Sequence, residues 1–123
     1  EKALWAGYFS RFYQATIHIL YCNYADEGLR QQVADNIAFV EKLYQNLDVK
    51  YQLDEVSQQP NIDQYAIAFA PTVDATLTVA MMTRYRTLAD LLLGVEEKKV
   101  VGNPADFPVL CINQRDDLYV LCT

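Results

Sequence analysis

The spacing of apolar side chains predicts two amphipathic helices in the first half of the chain. Residues 2–15 predict a leading helix with an aromatic stripe, because large rings recur at helical spacing at Trp5, Phe9, Phe12 and Tyr13. From about residue 27 to residue 47, leucine, isoleucine and valine recur every three or four positions, which predicts a second, longer helix. Asp26 and Glu27 suit its first turn, where the helix dipole favours negative charge.

Shorter apolar runs between and after the helices predict strands. Residues 17–22 are largely apolar on both faces, as in a buried central strand, whereas residues 49–56 alternate apolar and polar, as in a half-exposed one. The run Tyr65–Ala70 is small, apolar and uninterrupted, and it predicts a buried inner strand that ends at Pro71. Residues 107–112 predict another buried strand.

The segment between these strands has two interpretations. Apolar positions at helical spacing favour a helix over residues 75–93, and the composition of residues 76–82 suits a hairpin strand instead. A last short apolar run occupies residues 118–121.

The order of these elements predicts the fold class. Strand, helix, strand and a further buried strand begin a doubly wound sheet. We therefore predict an α/β three-layer sandwich with a mainly parallel, Rossmann-like central sheet of about four strands, preceded by an N-terminal helix over residues 1–15. A length of 123 residues fits one domain, and we predict a single domain over residues 1–123 that is a fragment of a longer protein.

Charge and cysteine usage restrict the partners and the compartment. The net charge of -6, with scattered lysines and arginines, should repel nucleic acids and anionic membranes. No apolar run approaches the roughly 18 residues that span a bilayer. Cys22, Cys111 and Cys122 form an odd set without paired spacing, which suits a reducing compartment, and we predict a cytoplasmic location.

Few residues in the sequence suggest catalysis or the binding of a metal or cofactor. A single histidine and the lack of closely spaced cysteines predict no metal site, and the lack of a glycine-rich phosphate loop predicts no cofactor. His18, between two isoleucines, is interpreted as a hydrogen-bonded core histidine, with a catalytic base as the alternative. The acidic pairs Asp54-Glu55 and Asp116-Asp117 are interpreted as solvated turn or edge residues.

Cys22 occupies the position of greatest mechanistic interest. It ends the first predicted strand, at the rim where parallel sheets bind ligands and where helix N-terminal amides can activate a thiol. The alternative is a cysteine used as a small buried hydrophobic residue.

A family resemblance concerns residues 16–73. A cysteine at the end of the first strand, an amphipathic helix, a second strand and then Asp63-Gln64-Tyr65-Ala66-Ile67-Ala68-Phe69-Ala70-Pro71 together resemble the enzyme IIB domains of sugar phosphotransferase systems. The resemblance implies that Cys22 is the phosphoryl acceptor. However, Asp26 and Glu27 stand where that family has glycine, serine and threonine, and they would repel a phosphate.

The resemblance therefore implies a IIB-like domain that has lost its chemistry, as at the C-terminal end of transcription regulators similar to the Mga family. The predicted function is a non-catalytic regulatory and dimerisation domain of a bacterial transcription regulator, with DNA contacted only by other domains. A homodimer is expected through the aromatic stripe; packing of that stripe on the chain's own sheet is the alternative.

Two other functions stay open at this point. One is a phosphotransferase phosphocarrier that uses Cys22 and interacts with other phosphotransferase proteins. The other is a single-cysteine thioredoxin-like domain, because Ala70-Pro71-Thr72 resembles the proline-threonine step beside thioredoxin active sites. The sequence assigns no ligand.

Overall fold

Helices and strands alternate along the chain in the computed structural model, which describes residues 2–82 and 108–113. Their order is α1 (Lys2–Tyr13), β1 (Ile17–Asn23), α2 (Glu27–Leu47), β2 (Tyr51–Ser57), α3 (Ile62–Phe69), a 3₁₀ turn (Ala70–Val73), β3 (Thr78–Met82) and β4 (Val109–Asn113). Two compact units divide the chain, one over Ala3–Ala66 and one over Ile67–Thr123 together with Glu1–Lys2.

In the unit Ala3–Ala66, β1 and β2 form a parallel pair that is connected through α2. The register runs from Ile17 opposite Tyr51 to Asn23 opposite Ser57. Helix α2 covers the face of this pair that contains Tyr51, because the Tyr44 and Tyr51 rings lie 5.8 Å apart and the Tyr51 hydroxyl donates to Glu41 at 3.3 Å. The predicted strand–helix–strand order of residues 17–56 is confirmed.

Helix α1 packs beside the C-terminal part of α2. A Cβ atom at Gly7 would lie 2.7 Å from a Leu47 methyl group, so the two backbones approach closely at this glycine. Tyr44 is 2% exposed and donates its hydroxyl to the carbonyl of Ala3 at 2.9 Å. Burial raises the pKa of Tyr44 to about 12, because the ionised phenolate would lose its hydration there.

Local sequence fixes the ends of both helices. The Asp26 carboxylate accepts a hydrogen bond from the Leu29 N–H at 2.8 Å and caps α2, as its position before the first turn predicts. At the other end Asp48 adopts a left-handed conformation with φ of 54° and closes the helix. Gln14 has the same φ after α1, where the Ala15 N–H bonds back to the Ser10 carbonyl.

The predicted inner strand Tyr65–Ala70 is wrong, since these residues lie in α3 and at the start of the 3₁₀ turn. Asn61 begins the helix: its side-chain oxygen accepts from the Gln64 N–H at 3.1 Å, and its carbonyl from the Tyr65 N–H at 3.2 Å. Three alanines in the run favour helix, and Pro71 is accommodated in the first turn of the 3₁₀ segment.

The second unit contains another parallel pair, β3 with β4, in register from Thr78 opposite Val109 to Met82 opposite Asn113. The helix favoured over residues 75–93 is therefore wrong for residues 78–82, and the strand alternative is right, although its partner is parallel and distant in sequence rather than a hairpin neighbour. The strand predicted at 107–112 is confirmed as β4. The apolar run 118–121 lies outside the described residues.

The predicted α/β class with parallel strands is confirmed, and a central sheet of about four strands stays a prediction because the described strands form two-stranded sheets. The single domain over residues 1–123 likewise stays a prediction. Among the residues described, no helix combines the length and the apolar character needed to cross a bilayer.

Candidate functional site

A cleft opens between α2 and the carboxyl-terminal halves of β1 and β2. Its volume is about 510 Å³, which is within the range of small-molecule sites. Side chains alternate between the faces of a strand, so Tyr21 and Asn23 of β1 lie on the same face as Leu53 and Glu55 of β2. Helix α2 supplies the opposite wall. Its lining residues are polar near the start of the helix, apolar in the middle and acidic at the far end: Glu27, Arg30, Gln31, Val33, Ala34, Ile37, Ala38 and Glu41.

Glu55 is the best-fixed polar group of the cleft. The Tyr21 hydroxyl donates to one of its carboxylate oxygens at 3.2 Å, and the Asn23 amide donates to the other at 3.0 Å. Burial raises the pKa of Tyr21, and the hydrogen bond to Glu55 adds to the rise because it stabilises the neutral phenol. The pairing of β1 with β2 therefore holds one carboxylate in a defined orientation at the cleft wall.

The first turn of α2 brings a guanidinium to the same cleft. Arg30 donates to Glu27 at 3.2 Å, and both side chains are well exposed. An exposed pair of this kind contributes little to stability. Arg30 can therefore leave Glu27 and turn toward a bound anion at small energetic cost.

Cys22 also contributes to the cleft lining, but it is only 5% exposed. Burial raises the pKa of the neighbouring Tyr24, and the contact with the Cys22 thiol adds to this effect. A nucleophilic thiol needs access to its substrate, so the geometry favours the interpretation of Cys22 as a small buried hydrophobic residue. Of the two carboxylates near it, Asp26 is engaged in the helix cap and Glu27 lines the cleft.

His18 lies in β1 with its side chain on the other face from Tyr21. Its Nδ1 atom is 2.8 Å from Asp54, whose second carboxylate oxygen accepts from Gln52 at 3.1 Å. His18 is thus a hydrogen-bonded and half-buried histidine, and Asp54 is its partner rather than a solvated edge residue. Within the described part of the chain, no group of histidine, cysteine and carboxylate residues is arranged to hold a metal ion. Asp116 and Asp117 lie outside it.

The predicted interface residues divide between two environments on α1. Trp5, Phe12 and Tyr13 are exposed by 51%, 80% and 67%, so the residues that the structure describes leave at least half of each side chain uncovered. Phe9 is half-buried and stacks on Tyr13 with ring centroids 6.1 Å apart. Tyr8, which the sequence pattern missed, joins the exposed group and lies against Trp5 edge to face.

Comparison with known proteins gives a fold but no close relative. No family model and no curated protein matches the chain. A crystal structure of a universal stress protein in complex with cAMP superposes with a TM-score of 0.71 at 16% identity, over 93% of this chain and 86% of that one. The chain has the universal stress protein fold. A universal stress protein from Archaeoglobus fulgidus DSM 4304 superposes with a TM-score of 0.61 at 17% identity, and this chain spans 40% of its length.

The universal stress protein fold overturns the resemblance to phosphotransferase IIB domains and to Mga-type regulators. The two fold families differ, and the segment Asp63–Pro71 that carried the resemblance is helical rather than a strand. The regulatory domain of a transcription regulator, the Cys22 phosphocarrier and the thioredoxin-like alternative are therefore wrong as functional predictions.

The sequence prediction pointed to the rim of the sheet beside Cys22, where the candidate cleft opens, but missed most of the residues that line this cleft. Tyr21, Asn23 and Arg30 were not singled out, and Glu55 was interpreted as a solvated edge residue. The sequence held two signals for these residues. Side chains alternate between the two faces of a strand, which places Tyr21 with Asn23 and Leu53 with Glu55, and Arg30 lies one turn after the helix cap at Asp26. Neither identifies a cleft until the register aligns Tyr21 with Glu55.

Proposed function

We propose that the chain is a ligand-binding domain that takes a purine nucleotide in the cleft, with cAMP as the first candidate. The observation that carries this proposal is the superposition over 93% of the chain on a universal stress protein in complex with cAMP. The identity of 16% means that the likeness concerns the fold, so the ligand must be argued from the cleft itself.

The position and size of the cleft support a nucleotide. In parallel α/β folds, ligands bind beyond the carboxyl ends of the strands, and the cleft opens beside Tyr21, Asn23 and Glu55 at that end. A volume of about 510 Å³ accommodates a base with its ribose. Apolar atoms of Leu53 and Ile37 can cover the flat faces of a purine.

The polar groups of the cleft fit the edges of a nucleoside. The Glu55 carboxylate, held by Tyr21 and Asn23, can accept hydrogen bonds from ribose hydroxyls or from the amino group of adenine. Gln31 has an amide that both donates and accepts. Arg30 is the guanidinium of the lining, and its planar fork suits two phosphate oxygens.

The charges of the cleft favour a ligand with little negative charge. Among the residues that the structure describes, three carboxylates, Glu27, Glu41 and Glu55, line the cleft together with one guanidinium, that of Arg30. A triphosphate would be repelled by these carboxylates, whereas the single negative charge of a cyclic monophosphate can be balanced by Arg30. We therefore expect cAMP to bind more tightly than ATP.

Calorimetric titration with cAMP, adenosine and ATP tests the proposal. Replacing Arg30 with alanine should weaken cAMP binding roughly 10-fold, as expected for one lost charged hydrogen bond, and leave adenosine binding nearly unchanged. Arg11→Ala is the matched control, because it removes one guanidinium from α1 outside the cleft lining. Binding of neither cAMP nor adenosine at millimolar concentration would refute the proposal, as would equal losses in the two variants.

We also propose a homodimer that forms through the exposed aromatic side of α1, at Trp5, Tyr8 and Phe12. These rings are at least half exposed and adjacent on one helix, and exposed apolar patches of this kind are typical of protein interfaces. The cytoplasm is the proposed compartment, supported by three cysteines without paired spacing.

A further inference from the structure

Glu55 is held at the wall of the cleft by two donors from β1. The Tyr21 hydroxyl and the Asn23 amide each donate to one of its carboxylate oxygens, at 3.2 Å and 3.0 Å. A carboxylate has about four acceptor positions, so each oxygen can take a further hydrogen bond from a ligand. These three side chains and helix α2 belong to the compact unit Ala3–Ala66, so the cleft wall and the helix opposite it are parts of one unit.

Helix α2 leads from the end of β1 back to the start of β2, and this course fixes the order of the groups along the cleft. The Tyr51 hydroxyl donates to Glu41, so the start of β2 lies level with Glu41 on the helix. Glu55 is about 13 Å further along β2, since a strand rises roughly 3.3 Å per residue. A helix rises about 1.5 Å per residue, so the same distance along α2 ends between Gln31 and Val33.

Glu55 therefore lies between a cationic part and an apolar part of the cleft. Arg30 is on its rim side, and helical side chains tilt toward the helix N-terminus, which carries the guanidinium further out to its contact with Glu27. Leu53 lies on the same face of β2, about 7 Å deeper than Glu55. Ile37 lines the cleft at a similar depth on α2. From the rim inward, the order is guanidinium, carboxylate and apolar wall.

This order matches the order of groups in cAMP, in which the ribose joins the phosphate to the base. A phosphate at Arg30 and a purine against Leu53 and Ile37 place the ribose beside Glu55. A carboxylate only accepts hydrogen bonds, and cAMP has two kinds of donor, the ribose 2′-hydroxyl and the amino group of adenine. The amino group is on the edge of the base far from the ribose, so the 2′-hydroxyl is the donor at the level of Glu55.

We infer that Glu55 is a specificity-determining residue, which accepts a hydrogen bond from the ribose 2′-hydroxyl and selects ribonucleotides over 2′-deoxyribonucleotides. This inference rests on the proposed nucleotide-binding function. A deoxy ligand seated in the same way covers Glu55 without offering it a donor, so the carboxylate loses its contact with water and gains no hydrogen bond in return.

Calorimetric titration with cAMP and with its 2′-deoxy analogue tests this inference. Wild type should bind cAMP roughly 10-fold more tightly, as expected for one hydrogen bond to a charged group, because Glu55 is exposed and water competes for it. Glu55→Ala should bind the two ligands with nearly equal affinity. Asp54→Ala is the matched control and should keep the wild-type ratio, since this neighbouring carboxylate lies on the other face of β2 and contacts His18.

Three results would overturn the inference and leave the proposed nucleotide site standing. The first is equal binding of cAMP and its 2′-deoxy analogue by wild type, which needs no variant to be folded. The second is a preference for cAMP that survives in Glu55→Ala. The third uses cyclic IMP, which lacks the amino group of adenine: a preference for cAMP over cyclic IMP that disappears in Glu55→Ala would assign Glu55 to the base. Failure of wild type to bind either cAMP or adenosine would instead refute the proposed function, and this inference with it.

Discussion

Tyr44 is the largest fully buried side chain among the described residues, and it connects two helices. Its ring lies against Gly7 of α1 and Tyr51 of β2, and its hydroxyl donates to the Ala3 carbonyl. One side chain therefore both fills the space beside α1 and finds a hydrogen-bond acceptor for its own hydroxyl, which would otherwise be buried without a partner. The same residue couples folding to pH, because its ionised form cannot be accommodated there.

The ionisation of buried Tyr44 should be visible in the pH dependence of the free energy of unfolding. Its folded pKa of about 12 lies above the ordinary tyrosine pKa of 10.0, so its contribution to stability is complete below pH 10 and is lost as the pH rises toward 12. This loss is on the order of 2 kcal/mol. Urea unfolding of wild type and Tyr44→Phe measures it. At pH 9 the variant should be less stable by about 1 kcal/mol, for the lost hydrogen bond, and this gap should close or invert by pH 12. Parallel stability curves would contradict the prediction.

The contact between α1 and α2 depends on a glycine. The Cβ position of Gly7 lies 2.7 Å from a Leu47 methyl group and 3.4 Å from the Tyr44 ring, so the helices are too close for a side chain larger than a methyl group. Glycine within a helix costs roughly 0.5–1 kcal/mol relative to alanine, and close packing against α2 offsets this cost. The periodicity of α1 predicts the helix itself, and Gly7, its smallest residue, determines where α1 packs against α2.

Substitution at Gly7 should separate helix propensity from packing. Gly7→Ala should be nearly neutral, because the gain in helix propensity offsets a small shift of the flexible Leu47 methyl group. Gly7→Leu should lower the free energy of unfolding by about 1–3 kcal/mol through overpacking. Tyr8→Leu is the control, since Tyr8 is 51% exposed, and it should change stability far less. Equal unfolding midpoints of Gly7→Leu and wild type in thermal denaturation would show that the helices do not pack as described.

At the scale of the whole molecule, the acidic surface opposes self-association and the exposed aromatic side chains of α1 favour it. The net charge of -6 makes two copies repel each other, and burial of Trp5, Tyr8 and Phe12 would favour their association. Salt screens the repulsion between the two copies but not the burial of the aromatic rings, so the dissociation constant of the proposed dimer should fall as ionic strength rises.

Sedimentation equilibrium at low and high salt measures this balance. Trp5→Ala and Phe12→Ala should each raise the dimer dissociation constant at least about 10-fold, because large aromatic residues dominate interface energies. Phe39→Ala is the matched control: its ring is 69% exposed but lies on α2, and its removal should leave the constant unchanged. A chain that stays monomeric at high concentration and high salt would contradict the proposed dimer.

Local sequence determined those elements whose signals lie within a few residues of one another. The apolar spacing of α2, the cap at Asp26 and the strand β2 are each signalled by residues close together in sequence, and the structure confirms the helix, its cap and the strand. The same local logic failed at Tyr65–Ala70. A short apolar run fits a buried strand and a buried helix equally well, and the Asn61 cap that decides between them was not recognised.

Only the tertiary structure decided which residues form the candidate site. Residues 78–82 become a strand because they pair with Val109–Asn113, a partner that lies far along the chain and leaves no local trace. Glu55 joins the cleft because the register of β1 and β2 sets it beside Tyr21 and Asn23, although adjacent acidic residues usually indicate a solvated edge. The sequence thus determined the acidic α/β framework and its parallel strands through short-range pattern. The cleft depends on the long-range register of β1 and β2, which no local pattern contains.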